Sequence, residues 1–99
     1  MIKSWKSRDL QELFETGASR RVGRDLHKRC VHRLTILNQT TDLRSLHQFS
    51  GLETHKWAGP KNRWSISVSG PWRITFDWLN GDAYNVDLEQ PHGKHGRAG

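Results

Sequence analysis

Strict alternation of apolar and polar residues between positions 63 and 88, RWSISVSGPWRITFDWLNGDAYNVDL, leaves this chain little freedom in its fold. Trp64, Ile66 and Val68 alternate with Ser65 and Ser67. Trp72, Ile74, Phe76 and Trp78 alternate with Arg73, Thr75 and Asp77, and Tyr84, Val86 and Leu88 with Asn85 and Asp87. Period two belongs to strands, because successive side chains leave opposite faces of a pleated ribbon. The pattern breaks only at the turn-forming runs Ser69-Gly70-Pro71 and Asn80-Gly81. The segment therefore reads as a three-stranded antiparallel meander with one apolar face. Its polar face carries a single cation, Arg73, in the middle strand.

Parity narrows the register. A two-residue Asn80-Gly81 turn carried through the ladder sets Phe76 opposite Asn85, mixing apolar and polar side chains on one face. A three-residue loop, Leu79-Asn80-Gly81, avoids this by placing Gly81 in the left-handed position of a bulge. It predicts Phe76 opposite Tyr84, Trp72 opposite Leu88 and Arg73 opposite Asp87. A matching loop, Ser69-Gly70-Pro71, predicts Ser67 as the other neighbour of Arg73.

The apolar face needs a cover, and the first half of the chain supplies one. Leu10, Leu13 and Phe14 lie at helical spacing, with Asp9 and Glu12 as a start signal and Gly17 as a stop. Residues 18–24 are a basic linker. Asp25 is placed to cap a longer helix whose stripe is Leu26, Cys30, Leu34 and Leu37, widened by Val31 and Ile36. Lys28, Arg29, His32 and Arg33 line its outer surface. Thr40, Thr41 and Asp42 signal a cap before a short turn holding Leu43 and Leu46. Residues 48–60 are irregular, with a brief strand near 53–57. Residues 2–5 suit a short strand or a lead-in to the first helix. The expected fold class is α+β, with N-terminal helices packed on one face of an antiparallel sheet.

A chain of 99 residues fits one domain, and at this size folding buries roughly 60–68% of the unfolded surface. Its 16 Lys and Arg against 10 Asp and Glu give a net charge of +6. That points to an anionic partner: nucleic acid, a membrane surface or an acidic protein. No apolar run reaches the roughly 18 residues of a membrane span. No apolar stretch follows the first six residues, which argues against a secretory signal. The single cysteine, Cys30, excludes an internal disulfide and fits a reducing, cytoplasmic setting. It reads as a small core residue rather than a catalytic thiol. His92-x-x-His95 lacks a third ligand, and no Gly-rich loop follows a strand, so no metal or cofactor is expected.

Several fragments point further. Met1-Ile2-Lys3-Ser4-Trp5, Leu13-Phe14-Glu15-Thr16-Gly17, Trp64-Ser65-Ile66-Ser67-Val68, Trp72-Arg73-Ile74-Thr75-Phe76 and Asn80-Gly81-Asp82-Ala83-Tyr84, in that order, resemble a HigB-type toxin of the RelE/ParE superfamily. The resemblance spans nearly the whole chain. It implies one RelE-like, microbial-RNase-like domain over residues 1–92, leaving 93–99 as a flexible Gly-rich basic tail. It implies a bacterial, ribosome-dependent endoribonuclease that cleaves mRNA in the A site through the ribose 2′-OH without metal. Its implied partners are the ribosome, mRNA and a HigA-type helix-turn-helix antitoxin, with no membrane or small-molecule cofactor. Gln90 and Pro91 stand where the family commonly has aspartate and tyrosine. The alternative is therefore a RelE-like ribosome- or antitoxin-binding protein with weakened or lost catalysis.

Metal-free RNA cleavage needs a base for the 2′-OH, an acid for the leaving 5′-oxygen and a cation for the charged phosphorane. Arg73 suits the third role, because a guanidinium forks onto two phosphate oxygens and stays charged. From the residues alone it reads rather as half of a surface pair with Asp87; the resemblance, through Trp72-Arg73-Ile74-Thr75-Phe76, reverses that preference toward the phosphate. His92 matches the last residue of the family ending Asp-Tyr-His, and is otherwise a solvated tail histidine. His55-Lys56-Trp57-Ala58-Gly59 resembles the family's His-Pro-Leu-Lys-Gly with a one-residue gap, which nominates His55; the other reading is an exposed loop histidine. On that alignment Ala58 replaces a lysine, so Lys56 or Lys61 would supply the charge. Trp57 lies outside the periodic pattern and is placed to stack on a base. Arg20, Arg21, Arg24 and Arg63 would meet RNA phosphates without regard to sequence.

Overall fold

A computed structural model describes residues 1–57, 59 and 62–90. Helix α1 (Arg8–Thr16) is followed by a 3₁₀ turn (Arg24–Leu26), α2 (His27–Gln39) and the short α3 (Leu43–His47). Strands β1 (His55–Lys56), β2 (Arg63–Ser69), β3 (Trp72–Leu79) and β4 (Asp82–Glu89) come last. They form one antiparallel sheet in the order β1-β2-β3-β4. The α+β expectation holds.

Local chemistry sets the helix ends. Ser7, rather than Asp9, caps α1: its hydroxyl accepts from the Leu10 N–H at 3.0 Å. Gly17 closes the helix at φ 89°, where a side chain would be strained. Asp42 caps α3 as its spacing suggested, accepting from the Arg44 N–H at 2.9 Å. Asp25 does not cap α2. It lies inside the 3₁₀ turn, and α2 starts without a side-chain cap.

Leu10 and Leu13 of α1, Leu34 and Leu37 of α2, and Leu46 of α3 are fully buried with Ile66, Ile74, Phe76, Ala83 and Val86 of the sheet. The helices thus cover the apolar face and leave the polar one open to chemistry. Cys30 lies in this core at 0% exposure, and burial pushes its thiol up to about 11.

The β2–β3 register matches expectation around Ser67 and Arg73, which are cross-strand partners. Near the turn the ladder slips, and Ser69 pairs with Trp72. The β3–β4 register corrects the reading from sequence. Leu79 pairs with Asp82, so Asn80-Gly81 is a two-residue turn, with φ 52° and 84°. Asp77 then faces Tyr84, whereas Thr75 faces Asp87, Ile74 faces Leu88 and Arg73 faces Glu89. The extra residue lies at Asn85, whose φ is 53°. Parity is restored by this bulge inside β4, not by a longer turn.

The bulge is fastened from both sides. Asn85 Nδ2 donates to Asp77 at 2.8 Å, and the Asn85 N–H donates to the Ser4 hydroxyl at 2.8 Å. Residues 2–5 run parallel to β4 there, with bridges Ile2–Ala83 and Trp5–Val86. Before the bulge the faces of β4 are exchanged relative to expectation: Ala83 enters the core and Tyr84 joins the polar face.

Replacing Asn85 with valine forces a β-branched residue into a left-handed conformation. Asn85→Val should destabilise the fold by about 1–3 kcal/mol, read as a lower urea midpoint at unchanged m-value. Asn85→Gly should recover most of that loss, and equal stability of the valine variant would refute the bulge.

Candidate phosphate-binding face

Three rows of side chains make up the polar face. Register aligns Ser67, Arg73 and Glu89 in one row, and His55, Ser65, Thr75 and Asp87 in the next. Arg63, Asp77 and Tyr84 form the third, extended by Trp57, whose N–H donates to the Arg63 carbonyl at 2.8 Å.

Arg73 occupies the first row at 12% side-chain exposure. Its Nε donates to the Ser65 hydroxyl at 2.7 Å, and one Nη donates to the Glu53 carbonyl oxygen. The other Nη lies 3.8 Å from the Glu53 carboxylate. Burial lowers the Arg73 pKa and Glu53 opposes that change; the group remains a cation. The carboxylate beside Arg73 is therefore Glu53, from the loop before β1, with Glu89 as its cross-strand partner in place of Asp87.

His55 is exposed and is the cross-strand partner of Ser65, the residue that Arg73 grips. Its Nδ1 lies 3.1 Å from the Thr54 carbonyl oxygen. An oxygen of that kind only accepts, so Nδ1 carries a proton, and in the neutral ring the lone pair lies on Nε2. The fold thus sets His55 and Arg73 about Ser65. His92 and Lys61 lie outside the described residues.

Two of the expected RNA ligands have partners within the protein. Arg63 is only 6% exposed. Its guanidinium reaches Asp77 at 3.1 Å, Glu89 at 3.7 Å, the Thr75 hydroxyl at 2.9 Å and the Asn85 carbonyl at 2.9 Å. Thr75 in turn donates to Glu89 at 2.6 Å. This arginine is spent on internal partners. Lys56 pairs with Trp64 on the opposite face, its ammonium 5.5 Å from the centre of that indole ring. Alternation alone separates it from His55 and Trp57. Arg20, Arg21 and Arg24 are exposed in the helical layer, and no described contact joins them to Arg73.

Among the described residues, the face carries two guanidinium groups, Arg63 and Arg73, against the carboxylates of Glu53, Asp77, Asp87 and Glu89. Arg63 offsets Asp77 and Glu89, while Glu53 partly offsets Arg73. A phosphate reaching Arg73 must displace the Glu53 carboxylate, whose side chain is 64% exposed and able to move. Sequence reasoning missed Glu53, because no periodicity relates a loop residue to a strand. It also missed the Arg63 network, although Ser67 opposite Arg73 already implied Arg63 opposite Asp77.

Residues 3–92 match the HigB-like toxin family, described as RelE-like toxin of type II toxin-antitoxin system HigB. The chain is also similar to Endoribonuclease HigB of Proteus vulgaris. The two are 37% identical over 93 residues, covering 93% of this chain and all of that protein.

The geometry gives the two arginines different tasks. Arg63→Ala would remove the buried guanidinium that Asp77, Thr75 and the Asn85 carbonyl share and should cost about 3–5 kcal/mol in denaturant unfolding; a loss under about 1 kcal/mol would mark an ordinary surface pair. Glu53→Gln should leave stability nearly unchanged and tighten RNA binding by up to about fivefold, since exposed pairs are worth about 1 kcal/mol or less. Unchanged or weaker binding would show that Glu53 does not compete with phosphate.

Proposed function

Because this chain belongs to the HigB-like toxin family, whose members are RelE-like toxins of type II toxin–antitoxin systems, we propose that it is an endoribonuclease cutting mRNA in the ribosomal A site. A HigA-type helix-turn-helix antitoxin holds it in check. The observation that supports this reading most directly is the pairing of Arg73 and His55 about Ser65 on the polar face.

The chemistry follows from that placement. The 2′-oxygen attacks the adjacent phosphorus while the bond from phosphorus to the 5′-oxygen breaks, leaving a cyclic phosphate and a free 5′-hydroxyl. The His55 Nε2 lone pair accepts the 2′-proton. Arg73 exchanges the Glu53 carboxylate for the phosphate and holds the charge of the phosphorane. His92, three positions after Glu89 in sequence, returns a proton to the leaving oxygen. The ribosome supplies the aligned message, and Trp57 supports a neighbouring base.

A second reading has its own support. The Glu53 carboxylate stands beside Arg73, and Gln90 and Pro91 replace the aspartate and tyrosine common in the family. A chain so altered can keep its ribosomal and antitoxin contacts while losing cleavage.

Primer extension on a translated message separates the two. The wild-type protein should produce A-site cuts. Arg73→Ala should reduce them about 10²–10³-fold and relieve growth arrest when expressed without antitoxin. Ribosome co-purification with no cuts would establish the binding reading, and an Arg73→Ala variant that stays fully toxic would remove Arg73 from the mechanism.

A further inference from the structure

Tyr84 was expected in the core, and the Asn85 bulge delivers it to the polar face instead. It stands in the row of Arg63 and Asp77, half-buried. Its neighbours are occupied: Asp77 receives Arg63 Nη1 at 3.1 Å and Asn85 Nδ2 at 2.8 Å. No hydrogen bond or ring contact engages Tyr84 among the described residues. An aromatic ring is thus displayed beside charges that are already satisfied, on the face that carries Arg73.

Position decides what the ring meets. Four residues of β3 separate Arg73 from Asp77, the cross-strand partner of Tyr84, and strand rise puts that separation at about 13 Å. The phosphate held by Arg73 is out of reach of Tyr84, whereas the base of a nearby nucleotide is within it. Trp57 closes the far end of the same row. Stacking suits such a site, because every base offers a π-face and the ring has no polar duty to abandon.

We infer that Tyr84 is a stacking platform for a nucleobase of the RNA whose phosphate is held by Arg73. This deepens the endoribonuclease reading and rests on it. The ring contributes equally to ground and transition states, so it acts on KM rather than kcat. Stacking of about 1–3 kcal/mol per base corresponds to about 5- to 150-fold in binding.

The test uses the whole protein and ribosomes programmed with a message carrying 2-aminopurine in the A-site codon. Quenching of this fluorescent base reports stacking and does not require cleavage. The wild type should quench, Tyr84→Phe should match it, and Tyr84→Ala and Tyr84→Leu should not. For cleavage, the alanine and leucine variants should raise KM at least fivefold with kcat held within about twofold. The leucine variant keeps an apolar side chain, and a thermal midpoint close to wild type confirms that it folds. Wild-type quenching or KM in Tyr84→Leu overturns the stacking role, as does a wild-type protein that quenches at no A-site position. Absence of cuts with quenching intact would instead reject the nuclease reading and leave the platform standing.

Discussion

Arg63 is a charge held inside the protein, and the polar half of the sheet is organised around it. Removing a guanidinium from water is costly unless every donor finds a partner. Asp77, Thr75, Glu89 and the Asn85 carbonyl supply those partners from β3 and β4. Satisfying one residue of β2 therefore ties the three long strands into a single register. The same network engages Glu89, the cross-strand partner of Arg73. Arg73 is left with a neutral serine, one carbonyl and one mobile glutamate.

The net charge of +6 has a different origin. Arg20, Arg21, Arg24, Lys28 and Arg29 are exposed in the helical layer, whereas the described part of the Arg73 face holds more carboxylates than guanidinium groups. The surface suited to long-range attraction of a polyanion is thus not the one that carries Arg73.

Much of this was legible in the sequence. Alternation located the three long strands and the apolar face, and Gly17 and Asp42 marked helix ends where the structure has them. The position of Arg73 beside Ser67 followed from strand parity. The β4 register did not, because parity reports that one extra residue exists and not where it lies. An asparagine within an alternating run resembles any other polar strand residue, yet here it takes φ 53°. Tyr84 was misplaced for that reason alone. Lys56 leaves the face opposite to Arg73, and Arg63 shares the Arg73 face but is held by internal partners, neither of which a count of charges reveals.

The strap formed by residues 2–5 has a bearing on how the chain is made. Its bridges to Ala83 and Val86 span some four-fifths of the sequence, and the Ser4 hydroxyl holds the bulge that sets the β4 faces. Contacts between such distant segments form late, after the loop between them has closed. During synthesis residues 2–5 must wait for β4 before they find their place. The Arg73 face is thus unfinished until β4 has paired with that strap.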